Sequence, residues 1–390
     1  MEGTTDSYTR PRVLRILTRL NVGGPALHVA NLAEGLKNQY DHLLVVGEVL
    51  PTEGSMDHLF ADSSINWVKI SDFKVSFKVW DDMSAFWKIF KVIREFKPHI
   101  VHTHTTKAGA YGRLAAWMNR VPVVVHSVHG HMLGGYGGIR RLYPYVERLL
   151  GIGTDALCAV SDSVKRDLVQ QSVFRKDKVH VIPLGLKLDS FVQARSDRQG
   201  QLRQKYRLPS EKLVGIVGRL APVKNHFLFL EAATLVQREY PDAHFMIFGD
   251  GELRQSLEKR VRELGIGNNV TLCGWERDTE SIYADLDVLV CSSLNEGTSV
   301  SVIEALAAGV PVVSTNVGGM SDVLSKGEYG KLVPSEDASE LAKAVIQVIG
   351  SSDNRSDNIK YRIVEKYSVS RLCSDMDELY RKLLAGIVDH

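Results

Sequence analysis

Short apolar runs rich in β-branched residues recur along the chain, and between them apolar positions fall at helical spacing. Runs this short, uncharged and bounded by turn residues predict buried strands. They lie at 13–17, 43–46, 66–70, 98–104, 121–128, 156–160, 179–182, 213–217, 243–248, 270–273, 288–291 and 312–314. Helical spacing marks 26–36, 80–96, 143–150, 299–309, 335–349 and 370–384. Strands alternating with helices predict parallel βαβ units and an α/β fold. The polar stretch at 185–210 reads as a connector between two domains, and 351–357 reads as a polar loop.

One βαβ unit carries the densest chemistry. The strand at 288–291 feeds a polar loop, a helix starts near Ser299, and Gly309-Val310-Pro311 stops it before the next strand. Glu296 lies in the loop and Glu304 eight positions later in the helix. Between them the backbone of Gly297, Thr298, Ser299 and Val300 meets the helix N-terminus, where unpaired N–H groups and the positive dipole end favour phosphate. An ionised carboxylate only accepts hydrogen bonds, which suits sugar hydroxyls on either side of that seat. A sugar–diphosphate–ribose has that order of groups.

Other strand ends add candidates. Gly218-Arg219 and Lys224 place two cations in one loop after the strand at 213–217, where Arg can grip phosphate bidentately and Lys acts as a point charge. Gly23-Gly24 follows the first strand and lets a backbone approach a ligand closely. Pro25 after it supplies no N–H. His129 ends the strand at 121–128, with His131 as the competing candidate. The glycines at 134, 135, 137 and 138 suggest a loop that closes over substrate. His102 and His104 share a strand face, but no third ligand is apparent beside them, so they read as structural histidines rather than a metal site.

The segment SSLNEGTSVSVIEALAAGVPVVST resembles the E-x7-E signature of the retaining family-4 glycosyltransferases. The resemblance extends from Gly23-Gly24 through Gly218-Arg219-Leu220 and Lys224 to the terminal helix. It implies a GT-B fold: two facing Rossmann-like domains, with a C-terminal helix that crosses back to the first. It divides the chain into an acceptor domain, 1–188 joined by 370–390, and a nucleotide-sugar donor domain, 189–369. Arg219 and Lys224 would then hold the donor diphosphate beneath Gly23 and Gly24, Glu296 and His129 the donor sugar, and Glu304 the ribose. The implied reaction is retaining transfer from a nucleotide-diphosphate sugar, a UDP-sugar being the expected donor, by front-face attack. It needs neither metal nor other cofactor. The acceptor hydroxyl would belong to a saccharide, as expected for surface-polysaccharide synthesis on a lipid-linked carrier.

Composition narrows the rest. Apolar residues make up 44% and charged residues 24%, as in globular proteins. No apolar run has the ~18 residues of a membrane helix, and no apolar signal core is present, so a cytoplasmic chain is expected. Cys158, Cys273, Cys291 and Cys373 are far apart and read as reduced. Residues 1–188 hold 24 Lys+Arg against 17 Asp+Glu (+7), and 189–390 hold 24 against 29 (−5), which sum to the net +2. Lysines alternate with aromatics from Phe73 to Lys91. An anionic membrane surface is therefore an expected partner, and nucleic acid is not. Two rivals remain. A nucleotide-sugar epimerase would share the fold, whereas the G-x-G-x-x-R at 249–254 lacks the third glycine that a dinucleotide-dependent oxidoreductase would want.

Overall fold

The computed structural model describes residues 10–50, 53–61, 63–130, 143–170, 174–208, 212–351 and 357–388. Among the described residues, thirteen strands build two parallel sheets. The first holds β1 (Arg12–Leu17), β2 (Asp41–Val46), β3 (Asn66–Lys69), β4 (Ile100–His104), β5 (Val123–Val128), β6 (Ala156–Ala159) and β7 (Val179–Val181), in the order β3-β2-β1-β4-β5-β6-β7. The second holds β8 (Leu213–Val217), β9 (His244–Phe248), β10 (Val270–Gly274), β11 (Val288–Cys291), β12 (Val312–Thr315) and β13 (Lys331–Val333), in the order β10-β9-β8-β11-β12-β13. These are two Rossmann-like halves. Strand order reverses between β1 and β4 in one sheet and between β8 and β11 in the other. Such points, at the C-terminal strand ends, are where open α/β sheets leave a crevice for ligands.

Burial follows the strand period. On β1, Val13 joins the core on one face of the sheet, while Leu14 and Ile16 join the core on the other. The second of these cores lies under the Val79–Phe96 and Thr106–Met118 helices. The first is closed by the helix Val369–Val388, whose Leu372, Met376, Leu379 and Tyr380 pack with Val13, Leu32 and Ile100. The C-terminal helix therefore belongs to the first half although it follows the second in sequence. Leu186 donates its N–H to Tyr367 O at 2.7 Å, pinning the outgoing and returning crossings together.

Tyr380 ties this helix to the sheet through His102 Nδ1 (2.6 Å) and Arg15 (3.4 Å). His102 Nε2 pairs with Ser127 Oγ at 2.8 Å, so this histidine is structural, as expected. Tyr380→Phe leaves a buried imidazole nitrogen without its partner. The expected cost is about 1–3 kcal/mol in urea unfolding.

The 185–210 stretch joins the two sheets and is built as two helices, Asp189–Arg198 and Gln201–Tyr206. Asp285 holds the start of the second, accepting from Gly200 N at 2.6 Å and Leu202 N at 2.9 Å. The glycines at 134–138 and most of the 351–357 stretch lie outside the described residues.

Candidate active site

The loops leaving β8 and β11 lie side by side at the switch point of the second sheet, and hydrogen bonds fasten them. Ser292 Oγ donates to the carbonyls of Lys224 and Asn225, each at 3.0 Å, and Leu294 N donates to Val223 O at 2.8 Å. This places Lys224 Nζ on Glu296 Oε1, which also accepts from Ser293 Oγ at 2.7 Å. Burial is the largest single effect on the Lys224 pKa and lowers it, but the Glu296 charge, its hydrogen bond and Cys291 together outweigh it, and the ammonium titrates above its ordinary value. A narrow pocket beside the pair is lined by Gly218, Lys224, His226, Ser292, Ser293 and Ser301.

Arg219, the other predicted phosphate cation, reaches across to the first half. Its guanidinium donates to Glu53 Oε1 at 3.0 Å. Glu53 is buried and is also gripped by Arg19, at 2.7 Å to each carboxylate oxygen. Neither Arg19 nor Glu53 stood out in the sequence. The cleft thus gathers Arg19, Arg219 and Lys224 against Glu53 and Glu296.

The helix Val300–Ala307 points its N-terminus into the same space. Ser299 is its N-cap, no side chain caps it, and its first turn carries no acid, so the positive dipole end is not neutralised locally. Thr298 Oγ1 donates to Val160 O at 3.4 Å, across the domain boundary. Gly24 abuts the Val300 side chain, and Gly297 lies against the backbone of His129 and Gly130. The Gly23-Gly24 loop, His129 and the 297–300 segment are therefore brought together.

Glu304 is half-buried and accepts from Tyr283 Oη at 2.9 Å. Burial pushes its carboxyl up to about 7. Its protonated form persists in the folded chain up to that pH, against 4.5 for an ordinary glutamate. In the ligand-free protein its contribution to stability therefore falls as pH rises from about 4.5 through about 7. Glu304→Gln is expected to be more stable relative to wild type at pH 8 than at pH 5, measured by urea midpoints. Ligand binding that needs the ionised carboxylate runs the other way, tightening across the same window.

Three histidines meet beside the Gly-Gly loop. His104 Nδ1 lies 3.1 Å from His129 Nε2, and the His28 ring centre is 5.0 Å from His129 and 5.7 Å from His104. The expectation that His104 lacks a third partner is thereby corrected. His28 arrives from the Gly24–Gly35 helix, far earlier in the chain. Its sequence signal was a polar residue among the buried positions of that helix, which also include Asn31. Burial lowers the His129 pKa to about 4, so the ring is neutral near pH 7. His131 lies outside the described residues.

Comparison with known proteins agrees with this geometry. A model of the family described as Glycosyltransferase Family 4 matches residues 22–190, and one described as Glycosyl transferases group 1 matches residues 198–364. The chain is 30% identical to the Escherichia coli UDP-Gal:alpha-D-GlcNAc-diphosphoundecaprenol alpha-1,3-galactosyltransferase, over 77% of this chain and 79% of that protein. It is 26% identical to the Staphylococcus aureus capsular polysaccharide biosynthesis glycosyltransferase CapM, over 78% and 82%. The crystal structure of Anabaena HepE in complex with UDP superposes with a TM-score of 0.81 at 18% identity, covering 95% of this chain and all of that one.

Proposed function

The chain belongs to the family-4, group 1 glycosyltransferases, and on that premise we propose that it is a retaining enzyme moving a sugar from UDP to a hydroxyl of a lipid-linked saccharide. The observation that carries this is the convergence of Arg219, Lys224 and an uncapped helix N-terminus between Glu296 and Glu304 at one switch point. The bond from the anomeric carbon to the phosphate oxygen breaks, and the acceptor oxygen attaches on the same face. The acceptor proton passes to the departing phosphate. Arg219, Lys224 and the helix dipole stabilise the charge developing on the diphosphate, so no metal ion is needed for that step. Glu296 and neutral His129 position the sugar hydroxyls, and Glu304 with Tyr283 holds the ribose. UDP in the structural relative and the diphosphoundecaprenol acceptor in the E. coli relative's name support the donor base and the acceptor class.

A thermal-shift panel of UDP, GDP and ADP tests the donor half. UDP should raise the Tm of wild type but not of Arg219→Ala, and no response to any nucleotide would overturn the reading. NMR of the product linkage reads retention. Nucleotide binding with epimerised sugar and no transfer would favour an epimerase instead.

The lipid carrier brings the enzyme to a bilayer surface in this reading. Among the described residues, no helix is long and apolar enough to cross a membrane. The helices Val79–Phe96, Thr106–Met118 and Tyr143–Ile152 pack side by side on the first half. They leave Phe77, Trp80, Trp87, Trp117, Leu149 and Ile152 exposed, with Lys78, Lys91, Arg94 and Arg120 also exposed on the same elements and their flanks. Exposed aromatics among cations suit an anionic interface. Flotation with anionic vesicles should carry the protein at low salt. Trp80→Glu with Trp117→Glu should abolish flotation without loss of fold.

A further inference from the structure

The nitrogens of His28, His104 and His129 are not accounted for by the transfer reaction alone. His28 and His104 are buried and His129 is half-buried. Both nitrogens of His28, Nε2 of His104 and Nδ1 of His129 find no hydrogen-bond partner in the protein. Buried polar atoms without partners are rare, and His28, with neither nitrogen partnered, points to something that uses it. The three rings offer one nitrogen each within 4.8 Å of one another. Their centres are 5.0, 5.4 and 5.7 Å apart.

Those spacings have a chemical meaning. A tetrahedral zinc ion with imidazole nitrogens at about 2.0–2.1 Å places those nitrogens about 3.3 Å apart and the ring centres about 5 Å apart. The ring centres already match. His104 Nδ1 and His129 Nε2, hydrogen-bonded to each other at 3.1 Å, already have the spacing of two ligands, so a cation taking them would replace that bond and draw on an unpartnered His28 nitrogen. The widest pair needs a closing of ~1.5 Å, within reach of ring rotation. Three neutral imidazoles without a carboxylate suit zinc, cobalt or nickel and disfavour the hard oxygen-seeking cations magnesium and calcium. The rings come from three separate elements, the Gly24–Gly35 helix and the ends of β4 and β5, so the fold and not a local motif assembles them.

We propose that His28, His104 and His129 form a binding site for one borderline-soft divalent transition cation, and that its occupancy shuts the transferase off. The second half rests on the transferase reading, because it is His129 that the cation would withdraw from the donor sugar. The cation is no catalyst here. It competes for a ligand that the substrate needs.

The test is titration of the metal-free full-length protein with Co2+, followed by the visible ligand-field absorption of four- or five-coordinate cobalt. One equivalent should develop the band, and Zn2+ should displace it. His28→Asn and His104→Asn should each weaken binding by at least about 100-fold. His58→Asn, at an exposed histidine, should leave it unchanged. No band, or a band that survives both cluster variants, overturns the site. If those variants do not fold, anomalous scattering from cobalt-soaked wild-type crystals decides: a peak among the three rings supports the site, and peaks only elsewhere overturn it. The spectrum needs no sugar transfer, so the site and the transferase reading can fail separately. With the band present, one equivalent of Zn2+ that leaves transfer unchanged would overturn the inhibitory half, and inhibition reversed by chelator would support it.

Discussion

Lys224→Ala is expected to lower the turnover of sugar transfer by about 10²–10³-fold, the scale seen when one electrostatic donor to a developing anion is removed. The lysine is three-quarters enclosed, and its ammonium sits between the Glu296 carboxylate and the loop that leaves β8. A charge held there gains strength as diphosphate charge develops in the transition state, because the site is partly screened from water. The same substitution also strands Glu296, whose side chain is 10% exposed and keeps Ser293 as a donor. Breaking one member of an enclosed ion pair is costly in its own right. The two effects separate in a cycle. Lys224→Ala combined with Glu296→Gln should recover urea stability, since the uncompensated carboxylate is gone, while turnover stays well below that of Glu296→Gln alone. Transfer that recovers with stability to the level of Glu296→Gln alone would place Lys224 in the scaffold and not on the diphosphate.

Much of this candidate site was legible because its residues lie close in sequence. Glu296 and Glu304 bracket a helix start whose strand, loop and stop signals occupy one stretch of some twenty residues. Arg219 and Lys224 fall within one loop. The structure puts both cations where the strand ends suggested, at the switch point between β8 and β11. What the sequence hid is pairing across distance. Glu53 meets Arg219 over 166 positions, Tyr283 reaches Glu304 from another helix, and His28 joins His104 and His129 from a different βαβ unit. None of these contacts leaves a periodic trace. The helices at Asp189–Arg198 and Gln201–Tyr206 were missed for a related reason. They bury only Phe191, Ala194 and Leu202, too few for a helical stripe, and the cap that starts the second is Asp285, from far along the chain. The Phe73–Lys91 segment divides as its spacing allows: Phe73 and Ile89 enter the core, while Phe77, Trp80 and Trp87 face outward.

Gly297→Ala should reduce turnover by about 100-fold or more, the penalty that a misplacement near 1 Å carries at a reacting centre. A methyl group there would lie 2.1 Å from the His129 carbonyl oxygen and 2.7 Å from the Gly130 Cα. Both are backbone atoms, so neither can rotate aside, and the loops of the two halves must part. The neighbouring Gly319 allows no retreat, since its own Cβ position is 1.9 Å from the Gly297 carbonyl oxygen. The clash lies between the halves and not inside either, so each should keep its fold. Arg219, Lys224 and Glu304 all belong to the second half, so UDP should still bind. The expected signature is a collapse of kcat with nearly unchanged unfolding and a UDP-induced thermal shift that persists. Gly130→Ala tests the same contact from the other side. A methyl there meets the Gly297 backbone at 3.8 Å, an ordinary contact, so turnover should hold. Loss in the first variant with retention in the second would show that transfer requires the two backbones to touch at Gly297. Full activity in Gly297→Ala would mean that the sugar is transferred with the halves further apart than they stand here.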